Sequence, residues 1–224
     1  MANPEKDPTG EFSSYYGCYI IAMAALVFIG IVAWSGWTLF SQDKAISLIT
    51  QDQIVTLSTD QISPETEKAL RDRLAPFAEA AKSGAPATID LTTADLNTLI
   101  QIAPDSGFGT YRDMVRITRA DPTTGRLFAD LCLPLKKLKF WEGKMRYLVA
   151  EGGFQIAIEA DGIDAKLVSV QIPGKEVPEG FVNNLQVWPW IAPYRKQEPL
   201  GTLLKGIKSA TLTPEGLRLS TSQP

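Results

Sequence analysis

The sequence predicts an α+β protein in which a single N-terminal transmembrane helix is followed by a curved antiparallel sheet packed with a few helices. Two patterns lead to this fold class. The first is a long uncharged stretch near the N-terminus, from Phe12 to Gln42. The second is a later series of short segments in which apolar and polar residues alternate, separated by turn signals and interspersed with helical patterns.

The uncharged stretch is long enough to cross a bilayer. Its run from Gly17 to Phe40 exceeds the roughly 20 apolar residues that a spanning helix requires. Aromatic residues mark both ends, and at about 1.5 Å per residue the two groups lie on the order of 30 Å apart, like the two headgroup regions of a bilayer. They are Tyr15, Tyr16 and Tyr19 at one end and Trp34, Trp37 and Phe40 at the other.

Two other interpretations of this stretch are less favoured. A cleavable signal peptide has an apolar core of about 7 to 15 residues after a basic start, whereas here the core is longer and the start, ANPEKDPTGE, is acidic. Cys18 resembles an acylation site only in residue type, because it precedes the apolar run. We interpret it as an ordinary helix residue.

The chain is expected to have four parts. Residues 1–14 form a short polar tail, 15–40 the transmembrane helix, 41–62 a juxtamembrane stalk and 63–224 an α+β domain. Lys6 and Lys44 are the only basic residues close to the span, so the positive-inside count is tied. Since a short tail before an uncleaved anchor usually stays inside, we expect a cytoplasmic N-terminus and an extracytoplasmic domain.

The first segment of the domain, SPETEKALRDRLAPFAEAAKSG, is helical in pattern. Ser63 is placed as N-cap, Pro64 at the first helical position and Gly84 just past the end. Pro76 interrupts the pattern and predicts a kink or two short helices, because proline removes one backbone hydrogen bond. The apolar stripe consists of Leu70, Leu74, Phe77 and Ala81.

The next segment, PATIDLTTADLNTLIQIAP, predicts a strand that ends near Leu91 and a helix capped by Thr92 or Thr93. Asp95 has the spacing of a capping box with Thr92. The apolar residues at helical spacing, which we expect to form the buried face, are Leu96, Leu99 and Ile100.

From there the chain predicts strands. ADPTTGR separates two of them, EGG separates KMRYLVA from FQIAIEA, Asp161-Gly162 forms a tight hairpin, and TPEG joins the last pair. One face of the strand RLFADLCLPL is expected to be dry, namely that of Leu127, Ala129, Leu131, Leu133 and Leu135, with Arg126, Phe128, Asp130 and Cys132 opposite. Phe154, Ile156 and Ile158 repeat the alternation. Short helices at 94–102, 178–186 and 199–205 are all that remains to cover the sheet, so its cover is expected to be incomplete.

Composition narrows the function. The net charge is −3 with a pI near 5.1, and no stripe of Lys and Arg is present, so nucleic acid is not an expected partner. Without histidine the chain lacks the usual general base and the commonest metal ligand, and its two cysteines have no metal-type spacing. No phosphate-binding, nucleophile-elbow or zinc-protease motif occurs. We therefore predict a non-enzymatic protein with no cofactor and no metal site.

Two charged groups leave alternatives open. Asp90, Asp95, Asp105 and Asp113 could include a pair of catalytic carboxylates, although capping and turn roles are favoured. A second group combines basic and aromatic residues that could contact anionic headgroups, although a solvated strand end is favoured. It consists of Lys136, Lys137, Lys139, Phe140 and Trp141.

The most unusual stretch is VWPWIAPY, residues 187–194. Pro189 separates Trp188 from Trp190 and argues against a regular strand or helix, so both indoles are expected on a loop or a sheet edge. They could fill the end of the sheet's core. They could equally line the mouth of an apolar groove or enter the membrane interface.

The arrangement of an anchor, LTTADLNTLI, LCLPL, amphipathic strands, QIPGKEVPEGFVNNL and a final hairpin resembles the YpmS-type extracytoplasmic proteins, over residues 85–222. More distantly it is similar to tubular lipid-binding domains. That resemblance implies a curved sheet that wraps a helix around an apolar channel, and it implies no catalytic residue. The chain departs from the pattern at Pro76 and at VWPWIAPYRKQEP.

These observations predict a membrane-anchored domain that binds or shields a lipid-like apolar ligand, with membrane lipid as its partner. The residues expected at the edge of the binding groove are Phe181, Leu185, Trp188, Trp190 and Tyr194. The alternative is an interaction or assembly subunit whose partner is a membrane protein. A carboxylate enzyme of the envelope is a third and less favoured hypothesis, and the oligomeric state is left open.

Overall fold

The structure is a computed structural model that describes residues 14–57, 62–105, 111–135 and 145–222. The chain divides into two compact units, Met1–Ile46 and Ser47–Pro224. The second unit has the expected α+β composition, with antiparallel sheets and a few helices. The predicted basic and aromatic group at 136–141 lies outside the described residues.

Helix α1 runs from Ser14 to Ile49. Its stretch Tyr19–Thr38 is long and apolar enough to cross a membrane, and the large apolar side chains described there are exposed on all sides. A helix without a polar face suits a lipid environment. The same length and composition also occur in signal sequences.

The segment that follows α1 packs within the second unit. Gln51 exchanges both backbone hydrogen bonds with Tyr147, with N···O distances of 3.0 and 2.8 Å. Ile49, Thr50 and Leu57 are buried. Part of the segment predicted as a stalk is therefore fixed to the edge of a sheet.

Helix α2, Pro64–Ser83, begins and ends where the sequence predicts. The Ser63 side chain accepts a hydrogen bond from the Thr66 amide at 3.2 Å, and Gly84 ends the helix at φ 73°. The alternative of two short helices is wrong, because α2 continues through Pro76. Leu70 is buried before this proline and Phe77 and Ala81 after it, so packing on both sides offsets the lost hydrogen bond.

The strands form two antiparallel sheets instead of the single sheet expected. One has the order β1-β7-β6 and the other β2-β3-β4-β5. The bounds are β1 Thr88–Thr92, β2 Val115–Asp121, β3 Arg126–Leu135, β4 Arg146–Glu159, β5 Gly162–Gln171, β6 Ser209–Thr213 and β7 Gly216–Ser220. The first sheet forms because β1 pairs along its length with β7 of the C-terminal hairpin.

Three short helices pack on the sheets, close to the predicted positions. They are α3 Thr93–Ile102, α4 Glu179–Gln186 and α5 Leu200–Gly206. Two 3₁₀ turns, Tyr111–Asp113 and Ala192–Lys196, complete the fold. The predicted capping box of α3 is confirmed, since Thr92 and Asp95 bond to each other's backbone amides at 3.1 and 2.9 Å.

The prediction that the EGG sequence separates two strands is wrong. In the structure, EGG lies within β4. The register with β5 shifts between Gly153 and Phe154, which pair with Ser169 and Leu167, so Val168 of β5 is the extra residue of this irregularity. A Cβ on Gly152 would lie 2.6 Å from Leu131 Cδ1. Glycine is present here because a neighbouring side chain fills the space above it.

Strand β3 is buried on both faces, in contrast to the one dry face expected. Phe128 and Cys132, on the face predicted to be wet, are buried. The Arg119 guanidinium lies over the Phe128 ring, 3.8 Å from its centroid. A charged side chain thus covers an aromatic ring that alternation alone places in solvent.

Two hydrophobic clusters hold the second unit together. One lies on the β2-β3-β4-β5 sheet and includes Leu131, Leu148 and Trp190. The other lies between the β1-β7-β6 sheet, α2 and α5 and includes Leu70 and Phe77. The predicted apolar face of α3 is divided between them: Leu96 contacts both clusters, Ile100 the first and Leu99 the second.

Candidate functional site

An aromatic cluster surrounds Trp190 in the first core. The Trp190 ring meets Phe154 edge to face at a centroid distance of 5.1 Å and Tyr111 at 5.7 Å. Tyr194 is the next neighbour, 6.0 Å from Tyr111. With only 5% of its surface exposed, Trp190 acts as a core residue.

The local backbone explains how two nearby tryptophans reach different environments. Helix α4 ends at Gln186, and the chain then turns tightly, with hydrogen bonds from Trp188 N to Leu185 O at 3.2 Å and from Trp190 N to Trp188 O at 3.0 Å. Pro189, which cannot donate a hydrogen bond, lies between them. Trp190 turns inward, while Val187 is 80% exposed and Trp188 39% exposed.

All five residues predicted for the groove lie in or against this core. Trp190 and Tyr194 are buried, so they fill the core, which was one of the two alternatives. Phe181 and Leu185 of α4 are half-buried and pack against the same cluster. Trp188 alone among the five is exposed, with its ring centroid 6.4 Å from that of Trp190.

A buried arginine fixes the segment that follows the tryptophans. Arg195 is 7% exposed, donates to the Ile163 carbonyl at 3.0 and 3.3 Å, and pairs with Asp161. Asp164 lies 3.5 Å from it and Glu159 3.9 Å. The 3₁₀ turn is thereby attached to the β4-β5 hairpin.

The sequence interpretation missed the role of Arg195. The charge pattern could have indicated it. The predicted tight turn is surrounded by three acidic residues, Glu159, Asp161 and Asp164, and such a group favours a nearby cationic side chain. Lys166 is a second cation beside this turn. It donates a hydrogen bond to Glu159 at 2.6 Å, and this contact raises the pKa of Lys166.

Asp90 and Asp95, two of the four candidate carboxylates, each pair with an arginine. Asp90 accepts two hydrogen bonds from Arg218, at 2.6 and 3.0 Å, and this contact lowers the pKa of Asp90. Asp95 caps α3 and pairs with Arg73 at 3.1 Å. Asp90 therefore links β1 to β7, and Asp95 caps α3.

A half-open cleft of about 560 Å³ lies between the start of α2, helix α3 and the edge of β2. Asn97 of α3 forms its floor, because the side-chain amide donates to the Ile117 carbonyl at 2.8 Å and accepts from the Ile117 amide at 2.7 Å. The polar residues that line the cleft are Ser63, Thr66, Thr93, Asn97, Thr98, Gln101, Arg116 and Thr118. The sequence interpretation did not find this cleft.

Among the described residues, no three His, Cys, Asp or Glu side chains are placed to hold a metal ion together. Comparison with models of known families, with curated proteins and with solved structures finds no match to this chain. The resemblance to YpmS-type proteins therefore stays a prediction that depends on the segments quoted for it.

Proposed function

We propose that this chain is a single-pass membrane-anchored protein, without enzymatic activity, whose folded unit binds lipid-like apolar groups at the membrane surface. Helix α1 supports the anchor, because its stretch Tyr19–Thr38 has the length and composition of a membrane span. We further propose that the folded unit lies on the extracytoplasmic side of the membrane.

The observation that carries the proposal is the pair Val187 and Trp188, which we call the apolar tip. Val187 is 80% exposed and Trp188 39% exposed, at the end of a helix whose other apolar residues face the core. Burying one large apolar side chain contributes roughly 1.5–3 kcal/mol. Tryptophan also favours the interface between headgroups and acyl chains.

Phe181, Leu185, Trp190 and Tyr194 support the tip in this proposal. They hold α4 and the following turn against the core, so that the tip is presented in one conformation. A preorganised surface loses little conformational entropy on binding.

The anchor keeps the folded unit near membrane lipid. From Thr38 at the end of the span to Gln51, which is bonded to Tyr147, the chain reaches at most roughly 45 Å even when fully extended. The folded unit therefore remains close to a bilayer throughout its life in the membrane. Weak apolar contacts are sufficient under these conditions, because the effective concentration of lipid is high.

The test is photo-crosslinking of the full chain in the membranes of its native cells. Val187 is replaced by p-benzoylphenylalanine, and adducts are identified by mass spectrometry. The matched control carries the same replacement at Ile158, which is apolar and 40% exposed but lies on β4. We expect phospholipid adducts at position 187 several-fold above those at 158. Equal lipid labelling at the two positions would contradict the proposal.

The second candidate function is an assembly subunit that uses the same tip to bind a membrane protein. The rim around the tip favours it, because Asn183, Asn184 and Gln186 of α4 are exposed, polar and uncharged. An apolar centre with an uncharged polar rim is typical of protein interfaces. A discrete protein adduct at position 187, in place of lipid, would support this function.

A further inference from the structure

Arg116 differs from most arginines of the folded unit. Arg73, Arg119 and Arg218 each pair with a carboxylate, and Arg195 has several acidic neighbours. Arg116 is half-buried on β2, an edge strand, and its side chain has no hydrogen bond or ion pair in the described part of the chain. Asp130 stands opposite it in the strand register but does not approach to ion-pair distance.

The Arg116 side chain forms no ion pair with any residue that the structure describes around it. It lines the cleft between α2, α3 and β2, and none of the described residues that line this cleft is acidic. The nearby carboxylates have other partners: Glu67 pairs with Arg71 at 2.7 Å, and Asp95 pairs with Arg73. Glu65 bonds to Ser63, which lowers the pKa of Glu65. A half-buried guanidinium that forms no ion pair is costly unless an anion binds to it.

Two further groups can donate to a ligand in the cleft. The Thr93 hydroxyl and the Gln101 side-chain amide have no hydrogen-bond partner among the described residues, and both line the cleft. The amide of Asn97, by contrast, is fully used on Ile117. The cleft thus offers a planar cation together with two neutral donors.

We propose that this cleft binds a phosphate-bearing group through Arg116, with Thr93 and Gln101 as additional donors. Guanidinium and phosphate match in geometry and form paired, charge-assisted hydrogen bonds. A volume of about 560 Å³ lies within the range of small-ligand pockets, roughly 300–1,000 Å³. The phosphate belongs either to a soluble organic phosphate or to an anionic lipid headgroup.

This proposal does not depend on the apolar tip, because neither Val187 nor Trp188 lines the cleft. A variant in which both tip residues are replaced by serine is therefore expected to keep phosphate binding. Conversely, an Arg116 variant is expected to keep lipid crosslinking at position 187.

The test uses the full chain in nanodiscs. In phosphatidylcholine discs, the soluble probe is glycerol 3-phosphate, titrated at constant ionic strength and followed by calorimetry. In a second arm, the unfolding temperature is compared between discs of phosphatidylcholine and discs that contain phosphatidylglycerol. The variants are Arg116→Gln and Arg116→Lys. The matched control is Arg126→Gln, which removes the same charge from a half-buried arginine of β3 outside the cleft.

The response is the affinity for glycerol 3-phosphate in the first arm and the rise in unfolding temperature caused by phosphatidylglycerol in the second. We expect Arg116→Gln to weaken the response at least tenfold, Arg116→Lys to retain part of it, and Arg126→Gln to leave it unchanged. Binding of glycerol 3-phosphate identifies a soluble ligand, and a response limited to phosphatidylglycerol discs identifies a headgroup. No response of the wild-type chain in either arm overturns the proposal. So does an equal loss in the Arg116→Gln and Arg126→Gln variants, because it would reflect net charge alone.

Discussion

Trp188 and Trp190 show how much the position of a single side chain depends on its neighbours. Both flank Pro189, yet one is 39% exposed and the other 5% exposed. Phe154 and Tyr111, far apart in the sequence, provide the aromatic surroundings of Trp190. Trp190 thus fills the core, one of the two alternatives left open for the indoles, while Trp188 lies at the surface.

Replacing the two tryptophans by alanine should separate their roles. Trp190→Ala is expected to lower the free energy of unfolding by about 3–5 kcal/mol, because it leaves a cavity among aromatic rings. Trp188→Ala should cost less than about 1 kcal/mol, as for an exposed residue. Urea unfolding of the full chain in detergent measures both.

Trp190→Phe serves as an internal control for this pair. The indole Nε1 of Trp190 has no hydrogen-bond partner among the described residues, so replacing it by phenylalanine removes volume but no polar contact with them. It should cost clearly less than alanine. If Trp188→Ala proved as costly as Trp190→Ala, Trp188 would have to be a core residue as well.

Single residues also set a pH dependence. Asp121 accepts hydrogen bonds from the Thr124 hydroxyl at 2.8 Å and from the amides of Thr124 and Thr123 at 3.3 and 2.9 Å. These contacts, chiefly those from Thr124, lower the pKa of Asp121. The folded pKa thus lies below the unfolded value of about 3.9. The resulting stability is fully present above the unfolded pKa and is lost as the pH falls through the folded pKa.

Asp121→Asn is therefore expected to be less stable than the wild type near neutral pH, with a difference that shrinks below about pH 4. Thr124→Ala should remove part of the same pH dependence, since it deletes the strongest donor. Unfolding temperatures of the full chain across this pH range measure the effect. A difference that stays constant down to about pH 2 would exclude Asp121 as its source.

Among the elements, β4 departs most from its prediction. A turn was expected at EGG because glycine pairs usually end strands. In the structure the two glycines lie beneath side chains of neighbouring strands: a Cβ on Gly152 would also approach Leu167 Cδ1 to 2.9 Å. Side chains of β3 and β5, the two strands that pair with β4, occupy the space that Cβ atoms would take at these positions.

Gly152→Ala should accordingly destabilise the fold by about 1–3 kcal/mol, as overpacking of a core does. Gly180→Ala in α4 is the matched control, because no atom lies within 4 Å of the added Cβ. Alanine there should be neutral or should stabilise by up to about 1 kcal/mol. Chemical unfolding of both variants measures the contrast, and equal effects would argue against a filled space above Gly152.

The helix ends, in contrast, follow their predictions closely. Ser63, Gly84 and the Thr92–Asp95 box lie where the local pattern places them. Caps of this kind are contacts between residues three or four positions apart, so the sequence contains all of their partners. The predicted tight hairpin is present but begins one residue earlier, because Glu159 pairs with Gly162 and leaves Ala160 and Asp161 as the turn. Gly162 is the first residue of β5 and adopts φ 117°.

At the level of the whole chain, the anchor is the feature with the clearest test. If α1 is an uncleaved span, the mature protein in membranes should keep its full mass of 24.5 kDa and should resist extraction at alkaline pH. Protease added to intact cells should digest the folded unit, as expected for an extracytoplasmic domain. Intact-mass spectrometry and protection assays measure these properties.

The control for orientation is protease treatment after the membrane is opened. Digestion only after opening would place the folded unit inside the cell and reverse the proposed topology. Recovery of a mature chain that begins beyond Thr38 would identify α1 as a cleaved signal sequence.

The α+β class, the apolar helix, the caps and most hairpins could be predicted from the amino-acid order, because each is determined by residues within a few positions of one another. The division into two sheets could not, since it depends on β1 pairing with β7, from Thr88 opposite Ser220 to Thr92 opposite Gly216. The burial of Trp190, the fixing of Arg195 by the β4-β5 hairpin and the cleft beside Arg116 likewise depend on distant partners. Periodicity reports which residues share a face, but packing between segments far apart in the chain decides what covers that face.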